Sequence, residues 1–246
     1  FFAALFFIFI FQGCENNKLK NYRLRTSFNF NWKFSQDFDT SFYLVDFDDS
    51  EWRNLDLPHD WAIEGPFDKE VSYKGGYLPY PGKGWYRKSF FVPSGTNNMT
   101  IEFDGIMRNS KIWLNGNYIG GWPYGYTSFA LDITDKIKRG GDNMIAVSVE
   151  NQDNSSRWYP GSGIYRNVWL IQTHPVHVDH WGTYVTTPAV TEDSAEVSII
   201  AKIKNTQSQN VNIELKTLII DPEGKIVAIK KTAFQNITGN GEVEIS

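Results

Sequence analysis

Ser27-Phe-Asn-Phe-Asn-Trp-Lys-Phe34 alternates apolar and polar residues without a break. Successive side chains of an extended chain point to opposite faces. Phe28, Phe30, Trp32 and Phe34 are therefore predicted to share one face of a strand. The same texture runs outward from this stretch. Trp85-Tyr-Arg-Lys-Ser-Phe-Phe-Val92 ends at Pro93, and Asn98-Met-Thr-Ile-Glu-Phe103 follows it. Ser110-Lys-Ile-Trp-Leu114 reaches Asn115-Gly116, the strongest short hairpin signal, and Asn117-Tyr-Ile-Gly-Gly121 answers it. Phe129 to Ile133, Asn143 to Val149 and Asn167 to Ile171 complete the series, while Thr134 to Arg139 allows one helical turn at most. No stretch of twelve residues after residue 20 carries a helical period. Short, evenly spaced strands parted by Gly, Asn, Asp and Pro predict an all-β fold, a jelly-roll β-sandwich over residues 27–175.

A change of texture marks a boundary at Thr173-His-Pro-Val176. Beyond it tryptophan stops at Trp181 and plain alternation takes over, in Ala195 to Ile203, Val211 to Ile220 and Lys225 to Ile229, with a turn at Asp221-Pro-Glu-Gly224. That pattern predicts an immunoglobulin-like β-sandwich over 176–246, truncated relative to the ~100 residues such a fold uses. Glu242-Val-Glu-Ile-Ser246 breaks off inside an expected strand, leaving an open edge that invites aggregation.

The 246 residues are 41% hydrophobic and 21% charged, the balance of a folded protein. The formal charge of −4 and scattered Lys and Arg give no nucleic-acid surface and no polybasic membrane patch. Aromatic residues reach 16%, which suits strands and also suits stacking on sugar rings. Residues 1–11 form an unbroken apolar run, too short for a spanning helix but of signal-peptide length. Gly13-Cys14 and the polar Glu15-Asn16-Asn17 follow. This order resembles a bacterial lipoprotein signal over 1–14, with Cys14 as the lipid-bearing residue and 15–26 as a polar linker. The expectation is an exported protein, periplasmic or anchored to the outer membrane of a bacterium, touching membrane only through that lipid. A buried N-terminal strand is the alternative. With one cysteine in the chain no internal disulfide forms.

Four clusters carry a functional signal. They are Leu57-Pro-His-Asp-Trp61 with Ile63-Glu-Gly-Pro-Phe67; Gly75-Gly-Tyr with Gly84-Trp-Tyr-Arg-Lys-Ser-Phe90; Phe103-Asp-Gly105 with Ile112-Trp-Leu-Asn-Gly116; and Ser156-Arg-Trp-Tyr-Pro-Gly-Ser-Gly-Ile-Tyr-Arg-Asn-Val-Trp169. In this order and spacing they resemble the N-terminal sugar-binding domain of glycoside hydrolase family 2, nearest to bacterial β-galactosidases. The resemblance is dense over 27–175 and looser in the tail. It implies a retaining exo-glycosidase with two Glu residues on a (β/α)8 barrel, their carboxyls ~5–5.5 Å apart. No βαβ alternation occurs in these 246 residues, so the barrel is expected elsewhere and no catalytic residue is named. This stretch alone is expected to be inactive. A stand-alone carbohydrate-binding lipoprotein, or the same part of a β-glucuronidase or β-mannosidase, are the alternative readings. Family members often assemble as dimers or tetramers, which makes a homo-oligomer one expectation.

The resemblance also implies that a loop just before Ser162-Gly-Ile-Tyr-Arg166 reaches the sugar pocket. Some relatives carry an Asp about six residues before that Gly. Here the position holds Arg157, with Asp153 upstream. Arg157, Trp158, Tyr159 and Asp60 are the candidate substrate contacts. Arg157 can donate a fork of hydrogen bonds to hydroxyls, or pair with an acid at a domain interface. Trp158 and Tyr159 can stack on sugar or pack the loop. Asp60 can touch ligand, cap a turn, or pair with Arg87 or Arg166. His59 reads as a structural histidine. Trp85, Trp113 and Trp169 read as core, and Arg166 as a loop-ordering residue through carbonyls. His174, His177 and His180 alternate faces, so no metal site is expected. No cofactor motif occurs: there is no phosphate loop, dinucleotide fingerprint or nucleophile elbow.

Overall fold

The computed structural model describes residues 23–37, 39–70, 77–79, 81–152, 156 and 158–246. Cys14, Gly75, Gly76, Asp153 and Arg157 lie outside them. All of the regular structure described is strand, apart from one 3-10 turn at Trp61–Glu64.

Two antiparallel sheets face each other in the first sandwich. The four-stranded sheet is ordered β1 (Arg23–Ser27), β10 (Val168–Thr173), β5 (Asn98–Phe103), β8 (Phe129–Asp132). The six-stranded sheet is ordered β3 (Arg53–Leu55), β2 (Trp32–Ser35), β4 (Gly82–Val92), β9 (Gly141–Asn151), β6 (Ser110–Leu114), β7 (Asn117–Trp122). Register decides what each face holds. Phe34, Tyr86, Val147 and Ile112 sit side by side across β2, β4, β9 and β6, all buried and inward. Met99, Ile101 and Phe103 of β5, with Val168 and Leu170 of β10, answer them from the other sheet.

The stretch 27–34 is not one strand. Its chain leaves the smaller sheet at Ser27 and enters the larger at Trp32, turning through Asn31 at φ 59°. Phe28 remains in the core, and Trp32 Nε1 donates to its carbonyl at 2.8 Å. Phe30 swings out to 57% exposure instead of sharing the buried face. The turn costs the alternation its register, because passing between sheets reorients the backbone. β1 also takes residues 23–26, read from sequence as linker, into the sheet.

The tryptophans read as core divide differently. Trp85 and Trp113 occupy the outer face of the six-stranded sheet. There residues 39–52 fold over them and bury Phe42 and Trp52 against Trp85. Arg87, 2% exposed, holds this flap: it donates to Asp49 Oδ2 at 2.7 Å and to the carbonyls of Phe42, Leu44 and Phe47. That is the carbonyl-binding role expected of Arg166, which is itself exposed. Trp169 is half-buried on the outer face of the smaller sheet, under the Arg25 guanidinium at 3.7 Å.

The second sandwich pairs β11 (Val176–Val190), β12 (Ala195–Asn205) and β17 (Glu242–Ile245) in one sheet. Two-stranded ribbons of β13 (Val211–Ile213) with β16 (Gln235–Ile237), and β14 (Lys216–Ile220) with β15 (Ile226–Lys231), complete it. Its core is small, built on Ile203, Ile237 and Ile245. The run 211–220 is two strands, and both β14 and β15 leave large apolar residues exposed. No helix of the described residues is long and apolar enough to cross a membrane.

Candidate substrate-facing loop cluster

Three connections meet at one end of the first sandwich: residues 57–64, residues 122–128, and the loop that precedes β10. Asp60 is their hinge pin. Its Oδ1 accepts from the backbone N–H of Ala62 at 3.1 Å, capping the 3-10 turn, and from the N–H of Ser162 at 2.9 Å. Oδ2 accepts from the Tyr159 hydroxyl at 2.6 Å. Burial and this donation to a carboxylate push the Tyr159 phenol well above its usual range, so it remains a donor. Asp60 forms no ion pair with Arg87 or Arg166 among the described residues, which corrects that reading. Asp60 is held by the cap, the Ser162 amide and the Tyr159 hydroxyl, and Arg87 is engaged by Asp49.

Backbone bonds lace the two loops like a short ladder. The N–H of His59 donates to Ile164 O at 2.9 Å and that of Trp61 to Ser162 O at 3.1 Å. On the far side Gly163 exchanges two 2.9 Å bonds with Met107. Gly163 sits at φ 119°, and a Cβ there would come within 2.3 Å of the Tyr86 hydroxyl and 2.7 Å of His59 O. Only glycine fits. Asn151 Nδ2 secures the loop by donating to Gly161 O and Ser162 Oγ, each at 2.9 Å.

Beneath lies a buried polar group. His59 is 8% exposed, with Nδ1 2.7 Å from the Tyr86 hydroxyl and Nε2 2.7 Å from Arg53. Nε2 also lies 3.2 Å from Glu64 Oε1, so this nitrogen sits between a guanidinium donor and a carboxylate acceptor. Burial lowers the His59 pKa, which keeps it neutral. Glu64 closes the group with two bonds to Arg53, at 2.7 and 2.8 Å, and that pairing holds its carboxyl low. This histidine is structural.

The outward face is aromatic. Trp158 is 60% exposed, yet its indole is aimed, because Nε1 donates to the Tyr126 hydroxyl at 2.8 Å. Tyr126 meets Tyr124 edge-on at 5.5 Å, and the Tyr165 hydroxyl ties the same loop down through Gly125 O at 2.8 Å. Of the four sequence candidates, the structure therefore joins Tyr159 to Asp60 directly and sets Trp158 on the surface beside them. Tyr124 and Tyr126 were missed. Their signal was the aromatic run Trp122-Pro-Tyr-Gly-Tyr126, too rich in rings for an ordinary hairpin connection.

The family model described as "Glycosyl hydrolases family 2, sugar binding domain" matches residues 25–175, and the chain belongs to that family. It is 42% identical over 232 residues to "Beta-galactosidase BoGH2A" of Bacteroides ovatus, covering 92% of this chain and 27% of that protein. A "Putative beta-glucuronidase" of Formosa agariphila is 37% identical, over 91% of this chain and 22% of its own length. The chain thus spans about a quarter of these curated relatives. Among solved structures, a glycosyl hydrolase family 2 member from Bacteroides cellulosilyticus superposes with TM-score 0.84 at 37% identity. That match covers 90% of this chain and 30% of the other.

Proposed function

We propose that the chain is the sugar-side scaffold of a retaining glycosidase acting on β-galactosides, working with a catalytic (β/α)8 barrel outside residues 1–246. The observation that carries this is the loop end. Asp60 and Asn151 fasten Tyr159, Gly161 and Ser162, and Gly163 bonds Met107, while Trp158, steadied by Tyr126, stays exposed. A side chain kept 60% exposed yet fixed by a hydrogen bond is arranged for something outside the sandwich. The β-galactosidase relative at 42% identity supports the galactoside reading. A β-glucuronidase is the second reading, supported by the 37% identical relative and by a family 2 β-glucuronidase structure of TM-score 0.85 at 27% identity. Export and lipid attachment at Cys14 rest on the order of residues 1–15 alone.

The test has two arms. Residues 1–246 alone give no turnover of chromogenic β-galactosides. The protein encoded by the complete reading frame hydrolyses them in preference to β-glucuronides, and Trp158→Ala in it raises KM. Preference for the glucuronide sinks the galactoside reading. A reading frame that encodes no barrel sinks the enzyme reading and leaves a binding lipoprotein.

A further inference from the structure

The outer face of the six-stranded sheet has a feature that its packing does not use up. Trp85 and Trp113 stack at 5.1 Å and 29°, and Tyr43 stacks on Trp113 at 5.5 Å and 15°. One flank of this stack is sealed by Phe42, Phe47 and Trp52 under the flap that Arg87 anchors. The other flank opens onto a cavity of 250 Å³. Tyr43, Trp85 and Trp113 wall it; Ser148 belongs to its floor on β9, and Lys83, Lys111, Asn109 and Glu150 stand around it. Asn109 is fixed by donating to Glu150 O at 3.1 Å, and Lys83 lies 3.6 Å from the Glu150 carboxylate.

The lining selects its guest. An apolar ring wall beside convergent polar groups is how small-molecule sites are made. A phosphate-bearing ligand would meet Glu150 against it. A lipid would strip water from the Lys83–Glu150 pair and from the exposed Lys111 ammonium, which is costly. A pyranose matches both halves: its C–H face lies on aromatic carbon, while its hydroxyls accept from Lys and Asn and donate to carboxylate. The volume falls below the ~300–1,000 Å³ of drug-sized pockets, which is room for one ring with the rest of a glycan outside. We propose that this cleft is a second carbohydrate site, taking one pyranose unit of an oligosaccharide or polysaccharide. None of its lining residues belongs to the Asp60–Tyr159 network or the Tyr126–Trp158 pair, so it does not depend on the loop-end reading.

Binding by the 246-residue chain itself tests this. Calorimetric titration with galacto-, gluco-, manno- and xylo-oligosaccharides reads the short ligands. Native gels containing soluble polysaccharides read the long ones. At least one glycan is expected to bind. Ser148→Phe, which fills the cleft, and Tyr43→Ala, which removes its outer ring, each weaken Kd by about tenfold or more. Phe234→Ala, an exposed ring of the second sandwich outside the cleft, leaves Kd unchanged. Lys111→Ala adds a probe at an exposed position, so loss of binding can be read without loss of fold, with Tm checked for each variant. Retardation in gels without short-ligand binding still supports the site if Ser148→Phe abolishes it. Binding lost by Trp158→Ala but kept by Ser148→Phe overturns the proposal. So does the absence of binding to every glycan at roughly 10 mM.

Discussion

At the scale of single residues, Asp60 shows how one side chain can serve structure and site together. It was legible as a turn cap, a sugar contact or half of an ion pair, and nothing local in the sequence separates these. Three donors decide the matter: two backbone amides and one phenol. Removing all three partners at once has a definite cost. Asp60→Ala is expected to lose about 2–3 kcal/mol in urea unfolding, combining a cap with a charge-assisted bond. Tyr159→Phe removes one partner and should lose about 1 kcal/mol. Equal losses would show that the hydroxyl, and not the capped amides, fastens the loop. Arg87 teaches the complementary lesson. As a residue it looked able to pair with Asp60, yet it points to the opposite face of its strand and binds Asp49.

Elements were most readable where order is local. The β6–β7 hairpin follows from Asn115-Gly116, whose φ values of 52° and 79° are those of a two-residue primed turn. The strands β5 and β12 likewise follow from alternation. Reading failed where an element ends for a tertiary reason, as at Asn31, where the chain changes sheets, and at 211–220, where one apolar run splits between two ribbons. The glycines rank these elements energetically. At Gly116 a Cβ would find open space, its nearest neighbour Val45 at 3.8 Å. Gly116→Ala should therefore cost about 1 kcal/mol, from backbone strain alone. Gly163→Ala adds a clash with Tyr86 and His59 and should cost upward of about 3 kcal/mol. Denaturant midpoints of the two variants check the order, and the reverse ranking would refute the account of the loop ladder.

For the whole molecule, the junction between sandwiches is polar. Arg23 donates to the carbonyls of Val178 and Asp179, Asn98 bonds Thr206 at 3.0 Å, and His180 lies 3.2 Å from Glu102. Arg25 shares Glu102, while Lys204 pairs with Asp179 at 2.9 Å. His177 and His180 are both held below the ordinary histidine pKa of 6.5, mainly by burial, and so is His59. Glu102 pulls His180 the other way without overcoming burial. A base whose folded pKa is depressed binds more protons when unfolded. Stability is therefore full above about pH 6.5 and declines as pH falls below it. Urea unfolding from pH 7.5 to 5 should show that decline, and His177→Gln with His180→Gln should flatten part of it. A slope unchanged by the pair would assign the effect to His59 or to the carboxylates.

Sequence alone determined that the regular structure from residue 27 onward is strand, that two sandwiches follow one another, and that the four aromatic clusters are those of a family 2 sugar-binding domain. Those are properties of local period, turn chemistry and motif order. Tertiary structure alone decided which face of each strand is inside. Tyr86 is buried between the sheets and its neighbour Trp85 outside them, under a flap. Alternation says only that two adjacent residues part company. Which of them meets the core depends on partners distant in sequence, Phe34 and Val147 beside Tyr86 and Phe42 beside Trp85, brought there by the order of strands in a sheet.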